Sequence, residues 1–221
     1  MPLAKLREVE DRFGCPLLEL WGMTEIAGLG TTHPFLGANR LGSIGVPLPY
    51  VRCRIACPDT PRLTRAPGEV GELLVRGPIL MNGYYRQPEA TSETIDADGW
   101  LHTGDLAKAD ADGFLYVVDR LKDMIVTAGY NVYPAEIERV IAEHSGVSLV
   151  AVAGVPDEMK GEAACAFIVQ KSGANLDEGA ILRYCRERLA AYKVPRLVRF
   201  VADLPKTSSG KVLRRQLKSL R

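Results

Sequence analysis

Near residue 120 the spacing of apolar residues changes from one rhythm to another, and no single sheet or helical bundle accommodates both. From Gly42 to Val118 the chain alternates short apolar runs, Val51–Ile55, Gly71–Val75 and Phe114–Val118, with Gly, Pro and Asp turns, the pattern of a small β-rich subdomain. Beyond Lys122 a strand at Met124–Val126 precedes a helix opening at Pro134, with Ile137, Val140 and Ile141 on one face and a stop near Gly146. Strands at Ser148–Gly154 and Ala163–Val169, a helix over Asp177–Ala191 and a strand at Val198–Val201 complete an α+β pattern. Asp119-Arg120-Leu121-Lys122-Asp123 joins the two with alternating charge, and such a polar bridge suits a hinge because it changes dihedrals without unpacking a core. The expected division is therefore 1–121 and 122–221, with the hinge near 119–123 and the β subdomain near 42–118. A short amphipathic helix from Pro2 (Leu6, Val9, Phe13, stop at Gly14) and a strand at Leu17–Leu20 come first.

Composition excludes several classes of function. With 28 basic and 27 acidic side chains the net charge is +1, so no global field favours nucleic acid or a membrane surface. Met1–Asp11 lacks the apolar core of a signal peptide, and Val147–Val155, the most apolar stretch, is too short to span a bilayer; a cytoplasmic protein without a transmembrane segment is expected. Five scattered cysteines, an odd number, read as free thiols, and Cys53 and Cys57 have no second ligand pair with which to bind zinc.

Four segments are richer in Gly, polar and charged residues than a fold needs: Trp21–Glu25, Gly99–Asp105, Asp119–Pro134 and Pro205–Lys211. Trp-Gly-Met-Thr-Glu offers a planar ring, a glycine for close backbone approach, a hydroxyl for a phosphate oxygen and a carboxylate for a divalent cation; a plain strand-end turn is the competing account. Asp105, placed after a glycine turn, suits the vicinal diol of a ribose, or an ordinary Asx turn. His102, a lone histidine with no paired acid evident, reads as structural. Arg120 is positioned to reach a ribose or phosphate, or to make a surface ion pair. Pro-Lys-Thr-Ser-Ser-Gly-Lys presents Lys211 as a mobile point charge suited to a phosphoryl group. It is not a Walker A loop, since Pro205 and Val212 stand where Gly and Ser/Thr are required, and Gly28 and Gly30 lack the third glycine of a dinucleotide fingerprint, replaced by His33.

In this order, and together with Gly71-Glu72-Leu73-Leu74-Val75-Arg76-Gly77, these segments resemble the motifs of the adenylate-forming superfamily: acyl-CoA synthetases, peptide-synthetase adenylation domains and beetle luciferases. The resemblance covers essentially the whole chain. It implies a fold combining α/β and α+β parts: the end of a large N-terminal domain with a small β-barrel-like subdomain, then a hinged α+β C-terminal domain. It implies a ligase in which a carboxylate attacks the α-phosphate of Mg2+-ATP to give an acyl-adenylate and pyrophosphate, after which the thiol of CoA displaces AMP. By similarity Trp21 and Gly22 lie against the adenine, Thr24 contacts the α-phosphate or acyl-adenylate, and Glu25 helps hold Mg2+. Asp105 binds the ribose with Arg120 nearby, Lys211 stabilises the first transition state, Lys122 marks the hinge, and Gly129 borders the pantetheine channel.

Departures qualify the resemblance. Trp21 stands where relatives more often have Tyr, and the upstream Ser/Thr/Gly-rich loop ending in Pro-Lys-Gly, which holds the β- and γ-phosphates, is not among these residues. The expectation is a truncated ligase with bare apolar surface on its first helix and strand, inactive alone and completed by a separate N-terminal half. Two alternatives stand beside it: an adenylation protein loading a carrier protein in trans, and a non-catalytic AMP-binding module. The small, uncharged turn Ile26–Thr31, as one wall of the acyl pocket, favours a fatty or aromatic monocarboxylic acid, and the wording of Lys122–Pro134 is similar to bacterial fatty-acyl-CoA ligases.

Overall fold

The computed structural model describes residues 3–37, 39–58, 60–208, 210–217 and 219, and divides into two compact units, 1–121 and 122–221. The first opens with helix α1 (Leu3–Phe13), which ends where Gly14 takes φ +63° and donates its N–H to the Glu10 carbonyl. Of its apolar stripe Leu6 is buried, whereas Phe13 is 71% exposed. The expected strand at Leu17–Leu20 is only β1 (Leu20–Trp21), because β2 (Thr31–Thr32) offers it two residues to pair with. β3 (Val46–Pro47) completes a three-stranded antiparallel sheet.

The β subdomain comprises β4 (Arg52–Cys57), β5 (Thr60–Thr64), β6 (Gly71–Arg76), β7 (Leu101–Ala109) and β8 (Leu115–Arg120), with helix α2 (Pro88–Thr94) between β6 and β7. Its order is β5-β4-β6-β7-β8, antiparallel throughout and open, so the barrel-like expectation is corrected to a sheet with two edges. Ile55, Leu73, Val75, Leu101 and Leu115 form its core. Ile26 is fully buried in that same core, so its side chain is not part of an acyl-pocket wall.

In the second unit β9 (Ile125–Thr127) and β10 (Tyr130–Val132) form a hairpin whose two turn residues, Ala128 and Gly129, have φ +49° and +83°, the handedness tight hairpins require. Helix α3 (Pro134–Ala142), β11 (Val147–Asp157), β12 (Gly161–Gln170), helix α4 (Glu178–Arg186), β13 (Leu197–Phe200) and helix α5 (Arg214–Leu217) follow. The order is β10-β9-β12-β11, with β13 parallel to β12. Asp177 caps α4 by accepting from the Ala180 N–H at 2.7 Å. β11 and β12 read as nearly continuous apolar runs because both of their faces are covered. Ile137, Ile141, Ile181 and Cys185 of α3 and α4 pack on one face, and Leu204, Val212 and Leu217 of the C-terminal segment on the other. Cys165 and Cys185 are buried and Cys53 is half-buried; burial pushes their thiols up to about 11, 11 and 12, while Cys15 is exposed. Among the described residues no helix is long and apolar enough to cross a membrane, and no cluster of three metal-binding side chains occurs.

Candidate nucleotide site

Asp105 was expected after a turn; it lies instead within β7, and the glycine before it belongs to a bulge. Leu74 pairs with His102 and Glu72 with Leu106, so Thr103, Gly104 and Asp105 together oppose Leu73 alone. Gly104 takes φ +68°, a conformation that only glycine adopts without strain. The bulge turns Asp105 inward, leaving it 4% exposed.

The carboxylate that results is held from two sides. Trp21 Nε1–H donates to its Oδ2 at 2.9 Å, and Arg120 Nε, on the register partner across β8, pairs with its Oδ1 at 2.6 Å. Burial raises the Asp105 carboxyl above the usual carboxylate range, against the lowering effect of Trp21 and Arg120. An ionised carboxylate offers about four lone-pair positions, so about two remain for a further ligand. Sequence reasoning gave Trp21 only a stacking role; the indole N–H also binds Asp105, a bond a tyrosine ring could not make from its edge.

Gly22 follows Trp21 at a place where nothing larger fits: a Cβ there would lie 1.6 Å from the Gly28 carbonyl oxygen. The crossing of these two backbones folds Thr24–Ile26 into a 3₁₀ turn, with Thr24 exposed and Ala27 at φ +57°. Glu25 Oε1 accepts from the Tyr84 hydroxyl at 2.9 Å, and its carbonyl accepts from the Met81 N–H. That hydrogen bond, followed by burial, raises the Tyr84 phenol. Tyr84 was missed in the sequence, as its partner is 59 positions away. His102 does have a paired acid: its Nδ1 lies 2.9 Å from Oε2 of the buried Glu72.

Among the residues expected to act, the structure thus brings Trp21, Asp105 and Arg120 into direct contact. Lys122 opens the second unit, exposed, in a 3₁₀ turn over Leu121–Asp123, and Asp123 is tied to Arg214 at 3.0 Å. Gly129 sits at the open tip of the β9–β10 hairpin, beside Tyr130, which stacks on Tyr192 at 4.8 Å. Lys211 is exposed in a loop closed at its base by a Lys206–Val212 bridge; inside it the Thr207 N–H donates to the Lys211 carbonyl and the Lys211 N–H to Thr207 Oγ1. The Lys211 side chain makes no ion pair among the described residues.

The family model described as AMP-binding enzyme matches residues 1–85, and that described as AMP-binding enzyme C-terminal domain matches residues 136–211. A long-chain-fatty-acid–CoA ligase of Salmonella typhimurium is 50% identical over 202 residues, which are 91% of this chain and 35% of the relative. ATP-bound MatB from Rhodopseudomonas palustris superposes with a TM-score of 0.92 at 38% identity, over 98% of this chain and 43% of that one. The o-succinylbenzoate CoA synthetase MenE of Bacillus subtilis, solved with its acyl-adenylate intermediate, superposes at 0.88 and 37% identity, over 100% and 44%. The chain therefore spans 35–44% of the length of these relatives. Two family models, a curated relative covering nine-tenths of the chain and solved structures covering nearly all of it agree: the chain belongs to the adenylate-forming, AMP-binding enzyme superfamily.

Proposed function

We propose that this chain works within an ATP-dependent acyl-CoA ligase, binding the nucleoside of ATP and of the acyl-adenylate at Asp105 and supplying the cation for adenylation from Lys211. One observation carries the reading: a buried carboxylate, gripped by Trp21 and Arg120, keeps about two acceptor positions, the number a vicinal diol fills. Relatives that bind ATP or an acyl-adenylate support it.

In the first half-reaction a carboxylate oxygen bonds to the α-phosphorus as the bond to the bridging oxygen breaks and pyrophosphate leaves. Negative charge on the phosphoryl oxygens is met by Lys211 and by the Thr24 hydroxyl, which donates a hydrogen bond. In the second, a thiol sulfur bonds to the acyl carbon, its proton passes to solvent, and AMP leaves with the bonding pair. Mg2+ binds through one or two carboxylates plus substrate phosphates, so the single carboxylate of Glu25, held at one oxygen by Tyr84, fits that chemistry and would hold the ion, which would neutralise phosphate charge. Lys122 is the hinge in this reading, and Gly129, whose missing side chain leaves open space, lets a pantetheine thiol approach. The acid is a fatty or aromatic monocarboxylate and the compartment the cytoplasm.

The test is ATP–pyrophosphate exchange over a panel of fatty and aromatic acids, with the chain alone and mixed with an N-terminal fragment of a family ligase. Exchange that needs the added fragment and disappears in Lys211→Ala supports the reading; nucleotide binding with no exchange in any mixture points to a binding module instead.

A further inference from the structure

The bulge that carries Asp105 is itself built on a buried acid. Glu72 is 5% exposed and lies, with Leu74, on the face of β6 opposite the one that sends Leu73 and Val75 into the core. Its Oε1 accepts the Gly104 N–H at 3.1 Å and its Oε2 lies 2.9 Å from His102 Nδ1, so one carboxylate clamps both flanks of Thr103. Thr103, also 5% exposed, locks the other side: its hydroxyl donates to the Leu73 carbonyl at 2.6 Å and accepts the Asp105 N–H at 3.0 Å. Glu72 and Thr103 thereby re-pair three backbone groups at the bulge: the N–H groups of Gly104 and Asp105 and the Leu73 carbonyl.

A sheet needs no such construction for its own sake, since an apolar residue in register would pack β6 on β7 without burying an acid. We propose that Glu72, with Thr103, is a positioning residue for nucleotide selectivity, acting through Gly104 to aim the Asp105 carboxylate at a ribose diol. This rests on the ribose reading of Asp105 given above. The structure assigns Glu72 no role as an acid or base: both of its oxygens are occupied inside the sheet.

The readout is a ratio, the Kd of 2′,3′-dideoxy-AMP divided by that of AMP, measured by titration calorimetry on the 221-residue chain. Hydrogen bonds to a charged group predict a ratio of about 10 to 100 for the unaltered chain and about 1 for Asp105→Asn. Glu72→Leu and, independently, the isosteric Thr103→Val should bring the ratio within about threefold of 1 while leaving dideoxy-AMP affinity unchanged. Glu72→Gln retains the ratio, because its amide carbonyl accepts from Gly104 and its NH2 donates to His102. Glu72→Leu combined with Asp105→Asn loses nothing beyond Asp105→Asn alone. Should Glu72→Leu fail to fold, Thr103→Val carries the test. A ratio kept in the Glu72 and Thr103 variants but lost in Asp105→Asn overturns the inference and leaves the ribose reading standing. A ratio near 1 in the unaltered chain, no AMP binding, or a ratio untouched by Asp105→Asn overturns both.

Discussion

Asp105 and Lys211 stand at opposite extremes of order. Asp105 is buried in a sheet, with partners from β1 and β8 and a bulge fixed from β6; Lys211 is exposed on a loop whose internal bonds, among the described residues, run between backbone groups and to Thr207. In the proposed function the contrast separates two tasks. A group that recognises an unchanging part of a substrate gains from rigidity, because no ordering cost then falls on binding. A cation needed in only one of two reactions gains from being removable, because remaining would obstruct the second.

If that division holds, damage to the two regions should read out in different observables. Lys211→Ala is expected to slow ATP–pyrophosphate exchange by the completed enzyme about 10²- to 10⁴-fold, while AMP affinity and melting temperature hardly move. A matching loss of AMP affinity would break the contrast. Gly22→Ala should do the reverse, costing the first unit about 3 kcal/mol in denaturant unfolding, since its Cβ meets backbone and not a yielding side chain.

Asp105→Asn sharpens the point. Because burial raises its folded pKa, the folded chain binds this proton more tightly than the unfolded chain does, so the ionised group subtracts stability as pH rises through the folded value. The asparagine variant should melt no lower, and by up to a few degrees higher, than the unaltered chain at neutral pH, although it binds AMP worse. On acidification, AMP affinity of the unaltered chain should begin to fall at a higher pH than for an ordinary aspartate, with a flat profile in Asp105→Asn; titration of AMP across pH checks both. The smallest effect is expected for Tyr84→Phe, about threefold in exchange rate, since Glu25 is half-exposed and water replaces the lost donor.

Much of this was legible before any coordinates. The apolar rhythm located β4, β6, β8, α3, β11 and β12 to within a few residues, because each of these elements buries the side chains that define its period. Helix α4 ends at Arg186 where the pattern ran to Ala191, because its last turns loosen while Leu189 still packs on the core. The nine-residue β7 was read as a turn around Asp105: Gly99 and Gly104 carry turn chemistry, but Gly104 spends its positive φ on a bulge. Trp21, Asp105 and Lys211 were visible because local motifs surround them. The partners of Glu72 and Tyr84 were not, since they lie 30 and 59 positions away in the sequence and the fold decides the meeting. For Glu72 the signals were its place in the Gly71–Gly77 motif and a glutamate set within an apolar strand.

The roots of the Lys211 loop add a last consequence. Leu204 before it and Leu217 after it are buried against Phe167 and Cys165, with Val212 packed on the same cluster. A surface loop fluctuates over about nanoseconds to microseconds, whereas collective motions of a packed unit take about microseconds to milliseconds. Stapled at both ends into the second unit, Lys211 travels any distance beyond the reach of its own side chain only on the slower clock. In the proposed function, the arrival and departure of its charge would thus be paced by a hundred residues moving together.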